Sequence, residues 1–504
     1  MSAGLVPLLQ ASVAQTPDAL AIIHGERRVS YAQLWRQVGA VAGFLRAHKL
    51  AVGARVALLM DNSPAYIAAY YGVLAAGGVV VALNAATKSR DLSNWLGHSG
   101  ASWLIADGAH PELAAVAAAR AREELRIVAV GASAVSDAIA WGEVLATPAQ
   151  APLGADPEAP AAIIYTSGTT GKPKGVTLSH RNLAANVKSI LTYLELSGAD
   201  RALNVLPFYY SYGNSVLHTH LAVGGSLVLE NSMMFPHKVM ERLAAERATG
   251  FAGVPSTYAL LLNRVRFQDY DLSSLRYMTQ AGGAMPTTNI ARLRAALPQV
   301  ALFVMYGQTE ATARLTYLPP ARLEEKLGSA GRAIPGVTLE IRDEHGRPMP
   351  SGTVGEIYAR GDNIMRGYWN DADTTAQVLR DGWLKTGDLA RMDEDGFIFI
   401  EGRSSDMIKS GAHRINPKEI EEVIAEVDGV AEVAVVGVPD DILGQTIRAV
   451  IVPQPGVALV PRAIQAHCHK QLALYKIPKL IDFASELPKT ASGKVKRYLL
   501  SAKQ

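Results

Sequence analysis

An α/β fold divided into more than one domain is predicted by three features of the sequence. Short apolar runs alternate with segments of helical period through roughly the first 150 residues, the pattern of an open, largely parallel sheet covered on both faces. A glycine-rich stretch over residues 165–175 is entered and left by apolar runs, so it reads as a loop joining two strands. At 504 residues the chain exceeds one compact domain, and two to four are expected.

Taken in order, Leu34, Val38, Val41 and Leu45 recur at spacings of three and four, which predicts a helix over 31–45 with Ser30 as its N-cap. Residues 55–60 read as a buried strand, 65–76 as a helix and 79–83 as the next strand. Two more strands follow at 103–106 and 127–130, then a proline- and alanine-rich linker over 150–159. Ser179 caps a helix that carries Leu183, Val187, Ile190, Leu191 and Leu194 on one face. A strand is expected over 302–305. Beyond residue 402 the pattern is a small α+β unit: an acidic-faced helix over 417–426, strands over 431–438 and 447–452, and a helix over 461–474.

Composition narrows the function classes. The formal charge of +3 is small for this length and gives no reason to invoke nucleic acid or a polybasic membrane anchor. The most apolar stretch, 65–83, is broken by tyrosines and glycines and is too short for a spanning helix. No basic segment precedes an apolar core at the start, so no signal peptide is read. The single cysteine, Cys468, allows no intramolecular disulfide, which suits the cytoplasm. His467 and His469 flank it, but adjacent helical residues do not share a face, so no metal site is expected there.

The chemistry concentrates in short strings. Tyr165-Thr166-Ser167-Gly168-Thr169-Thr170-Gly171-Lys172-Pro173-Lys174-Gly175 combines glycines, hydroxyl donors and two lysines, the materials of a loop that turns backbone N–H groups and charge onto a polyphosphate. It is not a Walker loop, because only two residues separate Gly168 from Gly171 and Pro173 follows Lys172. Downstream come the aromatic run Leu206-Pro207-Phe208-Tyr209-Tyr210-Ser211-Tyr212-Gly213, then Gln280-Ala281-Gly282-Gly283-Ala284 and Met305-Tyr306-Gly307-Gln308-Thr309-Glu310. Thr386-Gly387-Asp388, Gly402-Arg403-Ser404-Ser405-Asp406 and Lys489-Thr490-Ala491-Ser492-Gly493-Lys494 complete the set.

In this order, and over essentially the whole chain, these strings resemble the AMP-forming adenylating superfamily of acyl-CoA synthetases, peptide-synthetase adenylation domains and luciferases. The resemblance implies a large N-terminal domain, 1–402, of packed mixed and parallel β-sheets with helices. A β-rich subdomain would include Gly355-Glu356-Ile357-Tyr358 and Gly367-Tyr368-Trp369. A small, mobile α+β domain, 403–504, would carry the catalytic lysine, Lys494. By the same resemblance, Thr166 to Lys174 hold the ATP phosphates, while Gly282, Gly283, Ala284, Tyr306 and Gly307 line the adenine. Asp388 and Arg403 take the ribose, Thr309 the α-phosphate and Glu310 Mg²⁺. Each role suits its group: a flat ring for a base, a hydroxyl for an oxyanion, a hard carboxylate for a hard cation.

Tyr210 and Gly213 are expected in the acyl pocket. No Asp or Glu lies between Arg201 and Leu229, where amino-acid-activating relatives place an ammonium partner, so a plain fatty or aryl acid is expected. The hinge falls at Ser405 or Asp406, and Gly411, Ala412 and Arg414 lie along the thiol tunnel. The implied reaction is acyl-AMP formation followed by transfer to CoA, with the phosphopantetheine of an acyl carrier protein as the alternative acceptor.

Overall fold

The computed structural model describes residues 4–119, 125–166, 174–403, 406–410, 413–440, 443–489 and 495–501. One sheet of eight strands is laid down first. Strands Arg55–Leu59, Val79–Ala82, Ala101–Asp107 and Arg126–Val130 run parallel, and Pro160–Thr166 joins Val79–Ala82 in the same sense. Their Val- and Ile-rich sequences are buried on both faces, as parallel strands between helices require. Lys174–Ser179 returns antiparallel to Pro160–Thr166, so the two strands expected on either side of residues 167–173 are present, with Thr166 and Lys174 as register partners.

Helix Tyr31–Ala47 starts in a capping box: Ser30 Oγ accepts from the Gln33 N–H at 3.3 Å, and Gln33 Oε1 accepts from the Ser30 N–H at 3.0 Å. It packs on helix Pro64–Ala75, which is buried along its whole length. A Cβ on Gly72 would stand 2.5 Å from Val41 Cβ, so glycine is what lets these helices close on each other. No helix among the described residues is long and apolar enough to cross a membrane. Ser179 caps His180–Leu194 as expected, its side chain accepting from the Asn182 N–H at 3.1 Å.

A second sheet has nine strands. Ser226–Leu229, Arg201–Asn204, Gly250–Gly253, Tyr277–Gln280 and Ala301–Tyr306 form its parallel centre. A third sheet is antiparallel and contains Val337–Arg342, Gly355–Gly361, Trp383–Met392 and Ile398–Arg403. One expectation is corrected here. Gly367–Tyr368 does not belong to this β-rich sheet; it pairs with Lys174–Ser179, Gly367 opposite Thr177 and Tyr368 opposite Val176. Lys174–Ser179 would otherwise be an open edge, and its free carbonyls take the Trp369 N–H (to Gly175 O, 2.7 Å) and the Arg366 N–H (to Thr177 O, 3.0 Å).

The fourth sheet, after residue 403, joins Ile408–Ser410, His413–Ile415, Val430–Asp440, Gly444–Pro453 and Leu480–Phe483. Helix Pro417–Ala425 covers it, with the Asn416 side chain accepting from the Lys418 N–H. Helix Pro461–Gln471 ends three residues earlier than its sequence pattern predicts, because Leu472 is already extended and a 3-10 turn follows at Leu474–Lys476. Cys468 is buried in this small core, and the described residues contain no cluster of three or more His, Cys, Asp or Glu side chains placed to hold a metal.

Candidate active site

Gly250–Gly253, Tyr277–Gln280 and Ala301–Tyr306 end side by side, and the segments leaving these carboxyl ends form one wall, where open α/β sheets characteristically bind ligands. Tyr306 donates its hydroxyl to Asp388 Oδ2 at 2.7 Å, and Arg403 Nε donates to Asp388 Oδ1 at 3.1 Å. The two partners of Asp388 arrive by different routes. Arg403 is its cross-strand neighbour, whereas Tyr306 comes from another sheet. Burial and then the Asp388 carboxylate push the Tyr306 phenol well above its ordinary value, so it stays a donor. Burial works against the Arg403 cation, but the Asp388 and Asp406 carboxylates outweigh it and hold the guanidinium above its usual range. An ionised carboxylate has about four lone-pair sites, so Asp388 keeps capacity for further donors such as ribose hydroxyls.

The turn after Tyr306 is shaped by exclusion. A Cβ on Gly307 would stand 2.2 Å from Ala313 O. Asn363 pins the turn, its Nδ2 donating to Arg314 O at 2.8 Å and its carbonyl accepting from Thr312 Oγ1 at 2.6 Å. Thr309 Oγ1 then lies 3.2 Å from Ser211 Oγ, and Glu310 Oε1 accepts from the Tyr368 hydroxyl at 2.9 Å. The Lys174 ammonium sits 5.0 Å from the centre of the Tyr368 ring. The Gln308 side-chain nitrogen is buried without an acceptor among the described residues. A single carboxylate such as Glu310 fits Mg²⁺, which draws most of its ligands from water and nucleotide oxygens.

Gly282 takes a φ of 91°, and Gln280 Nε2 ties the turn by donating to Gly283 O at 2.7 Å, with Ala284 following. Of the remaining expected residues, Ser167, Gly168, Thr169, Thr170, Gly171, Lys172, Ser405, Gly411, Ala412, Lys494 and the Arg414 side chain lie outside the described residues. Lys489 and Val495, on either side of residues 490–494, form an isolated antiparallel bridge. Asp406 faces Arg497, its Oδ2 3.6 Å from Nε.

Helix Ser211–Ala222 forms the other side of the site. Tyr210 accepts from Asn84 Nδ2 at 3.2 Å. Gly213 packs rather than opening space: a Cβ there would meet Pro207 O at 2.3 Å. Tyr212 and Tyr258 both donate to Thr279 O, at 2.8 and 2.7 Å. Behind Tyr212, between this helix and the sheet, lies a small cavity of ≈ 20 Å³, room for about one water, whose lining includes Ser215, Val216, Thr219, Ala252, Thr279 and Arg314.

Four residues that sequence reasoning did not single out as functional belong here: Ser211, Tyr212, Arg314 and Tyr368. Three lie inside strings already quoted. Arg314 is the single charged residue between Glu310 and Arg322, a signal present in the sequence but attached to no motif.

A model of the AMP-binding enzyme family matches residues 9–369, and the model of the AMP-binding enzyme C-terminal domain matches 419–494. The chain is 37% identical over 483 residues to a feruloyl-CoA synthase of an Amycolatopsis species, covering 95% of each chain. It is 31% identical over 532 aligned residues to a long-chain-fatty-acid–CoA ligase of Bacillus subtilis, covering 98% of this chain and 94% of that one. ATP-bound MatB from Rhodopseudomonas palustris has the same fold, with a TM-score of 0.90 at 30% identity over 99% of this chain and 98% of the other. The chain therefore belongs to the AMP-binding enzyme family, the AMP-forming adenylating superfamily. Within that class it is an AMP-forming acid–thiol ligase of the acyl-CoA synthetase type.

Proposed function

We propose that this protein activates a non-amino carboxylic acid with ATP as an acyl-adenylate and passes the acyl group to CoA. The observation that carries this reading is that the segment after Ala301–Tyr306 joins two clusters, Tyr306 with Asp388 and Arg403, and Glu310 with Tyr368 and Lys174, while Thr309 between them meets Ser211 at the start of helix Ser211–Ala222. The relatives' CoA-ligase activities support CoA as acceptor. An α-amino acid is disfavoured, because the cavity lining contains no Asp or Glu and its one charged group is the Arg314 cation.

In this reading residues 1–402 bind ATP and the acid, and 403–504 deliver Lys494. An acid carboxylate oxygen attacks the α-phosphorus, and the bond to pyrophosphate breaks. Both reactants are anionic, so the protein's task is positioning and charge neutralisation. Asp388 and Arg403 fix the ribose, Tyr306 and the turn from Gly282 to Ala284 hold the base, and Thr309 donates to an α-phosphate oxygen. Thr166 to Lys174 receive the β- and γ-phosphates. Lys494 is cationic at pH 7, from an ordinary lysine value of about 10.4, and bridges the attacking and α-phosphate oxygens. Glu310, oriented by the Tyr368 hydroxyl, would hold Mg²⁺, which would supply further neutralisation of charge on the leaving pyrophosphate. No general base is needed. In the second step a CoA thiolate attacks the acyl carbon, the bond to AMP breaks, and the thiol proton goes to solvent. A turn about Ser405 or Asp406 withdraws Lys494 and brings Gly411, Ala412 and Arg414 to the site. We place the reaction in the cytoplasm, which suits a chain with one cysteine.

The test is product analysis by mass spectrometry after incubation with ATP, a panel of fatty, aryl, hydroxy and amino acids, and either CoA or a holo-acyl carrier protein. AMP plus a CoA thioester from non-amino acids is expected. Thioester found only on a holo-carrier protein, or turnover confined to amino acids, overturns the reading.

A further inference from the structure

We propose that Arg314 is a specificity-determining residue that selects acids carrying a second oxygen acceptor, a carboxylate or a hydroxyl, at the end remote from the carboxyl group that is activated. The inference rests on the ligase reading above and adds to it the chemistry of the far end of the substrate.

Arg314 is only 3% exposed, yet among the described residues no Asp or Glu forms an ion pair with it. That sets it apart from several other arginines of the chain. Arg403 has Asp388, Arg276 has Asp200 at 2.9 Å, and Arg497 has Glu421 at 2.6 Å. Around Arg314 stand a thioether, a carbonyl, a ring and a neutral hydroxyl: Met305 Sδ 3.3 Å from Nε, Ala313 O 3.4 Å from Nη1, the Tyr212 ring centre 4.2 Å from Cζ, and the Tyr193 hydroxyl. A sulfur atom is a weak acceptor and a ring face offsets only part of the cost of burying a cation. Among the described residues the buried cation is thus left without an anion.

The guanidinium also faces a cavity, and the other polar groups on that wall are already engaged. Thr219 Oγ1 donates to Ser215 O at 2.8 Å, Thr279 Oγ1 lies 2.8 Å from the Tyr212 hydroxyl, and His220 Nε2 lies 2.8 Å from the Tyr277 hydroxyl. The free hydrogen-bonding capacity therefore belongs to Arg314, whose planar fork suits oxygen acceptors. Placement fits as well. Ser211, beside Thr309, begins the helix on which Ser215 and Thr219 follow, about 6 and 12 Å further along at ~1.5 Å per residue. An acid whose carboxyl reaches the Ser211–Thr309 end directs its far end to Arg314.

The test compares kcat/KM for two pairs of acids, adipate against hexanoate and 4-hydroxycinnamate against cinnamate, in the wild type, Arg314→Met and Arg314→Lys. A site built to bond an oxygen rejects the analogue that lacks it by a large factor. The wild type is expected to favour the oxygen-bearing member of at least one pair by about a hundredfold or more. Arg314→Met should bring that ratio close to one, and Arg314→Lys should keep its sign at reduced size. A wild-type ratio near one in both pairs overturns the proposal. So does an Arg314→Met enzyme that loses activity equally on both members, since that is the behaviour of a brace for Tyr212. Should Arg314→Met fail to fold, the wild-type ratio and Arg314→Lys decide alone. Absence of pyrophosphate release with every acid would instead defeat the ligase reading, and this proposal with it.

Discussion

On the nucleotide side of the site, each acidic group at its centre already has a partner: Asp388 holds Tyr306 and Arg403, and Glu310 holds Tyr368. On the acyl side the cavity behind Tyr212 has no acidic group in its lining, and its one cation has no carboxylate. The contrast separates two tasks. A fixed polar network positions charge before the ligand arrives, so little reorganisation is needed when ATP binds. A cavity that leaves one charge uncompensated leaves part of the binding energy to the substrate, which is how discrimination is achieved.

If this division is right, variants on the two sides fail differently. The largest effect is expected from Lys494→Ala, which should lower adenylate formation by roughly a hundred- to thousandfold while sparing thiolysis of a preformed acyl-adenylate; rapid-quench assays of each half-reaction measure it. Equal losses in both halves would contradict the two-position account of residues 403–504. Next in size, Asp388→Asn removes the charge shared by Tyr306 and Arg403. It should raise the KM for ATP between about tenfold and a hundredfold with acid preference unchanged. A shift in acid preference would break the separation of the two sides. Tyr368→Phe frees Glu310 from its one hydroxyl donor, and a loss of a few-fold to about tenfold, visible as a greater demand for Mg²⁺, is expected from titrating activity against the metal.

The smallest effect concerns pH. Burial lowers His218, on the acyl-side helix, from 6.5 to about 3, and lowers His220 in the same direction. Below pH 6.5 the unfolded chain takes up protons that the folded chain refuses, so stability falls as pH drops through this window. His218 alone should remove about 2 kcal/mol at pH 5. Chemical-denaturation curves at pH 7 and pH 5 would show it, and identical midpoints would contradict it.

What the sequence disclosed follows the same division. The nucleotide side is made of contiguous strings, so Tyr306, Thr309, Glu310, Asp388 and Arg403 could be named through the family resemblance those strings carry. Their partners were harder. Tyr368 looked like framework because nothing in a Gly-Tyr-Trp string says which strand it will pair with, and it joins the strand after residue 174 rather than the β-rich sheet. The acyl side is assembled from a helix, two strand ends and the turn after Glu310, far apart in sequence. The resemblance could place the aromatic run from Leu206 to Gly213 at the acyl pocket but could not show that Gly213 serves close packing or that Arg314 is buried without an acid among the described residues.

The central claim is that acid activation and thiol transfer are separate steps on one site. The most direct measurement mixes the enzyme with ATP and an accepted acid in the absence of CoA, follows pyrophosphate, and then adds CoA. The account predicts a burst of about one pyrophosphate per enzyme before CoA, and then AMP and thioester on its addition. Pyrophosphate that appears only after CoA is present, or ADP in place of AMP, would contradict it.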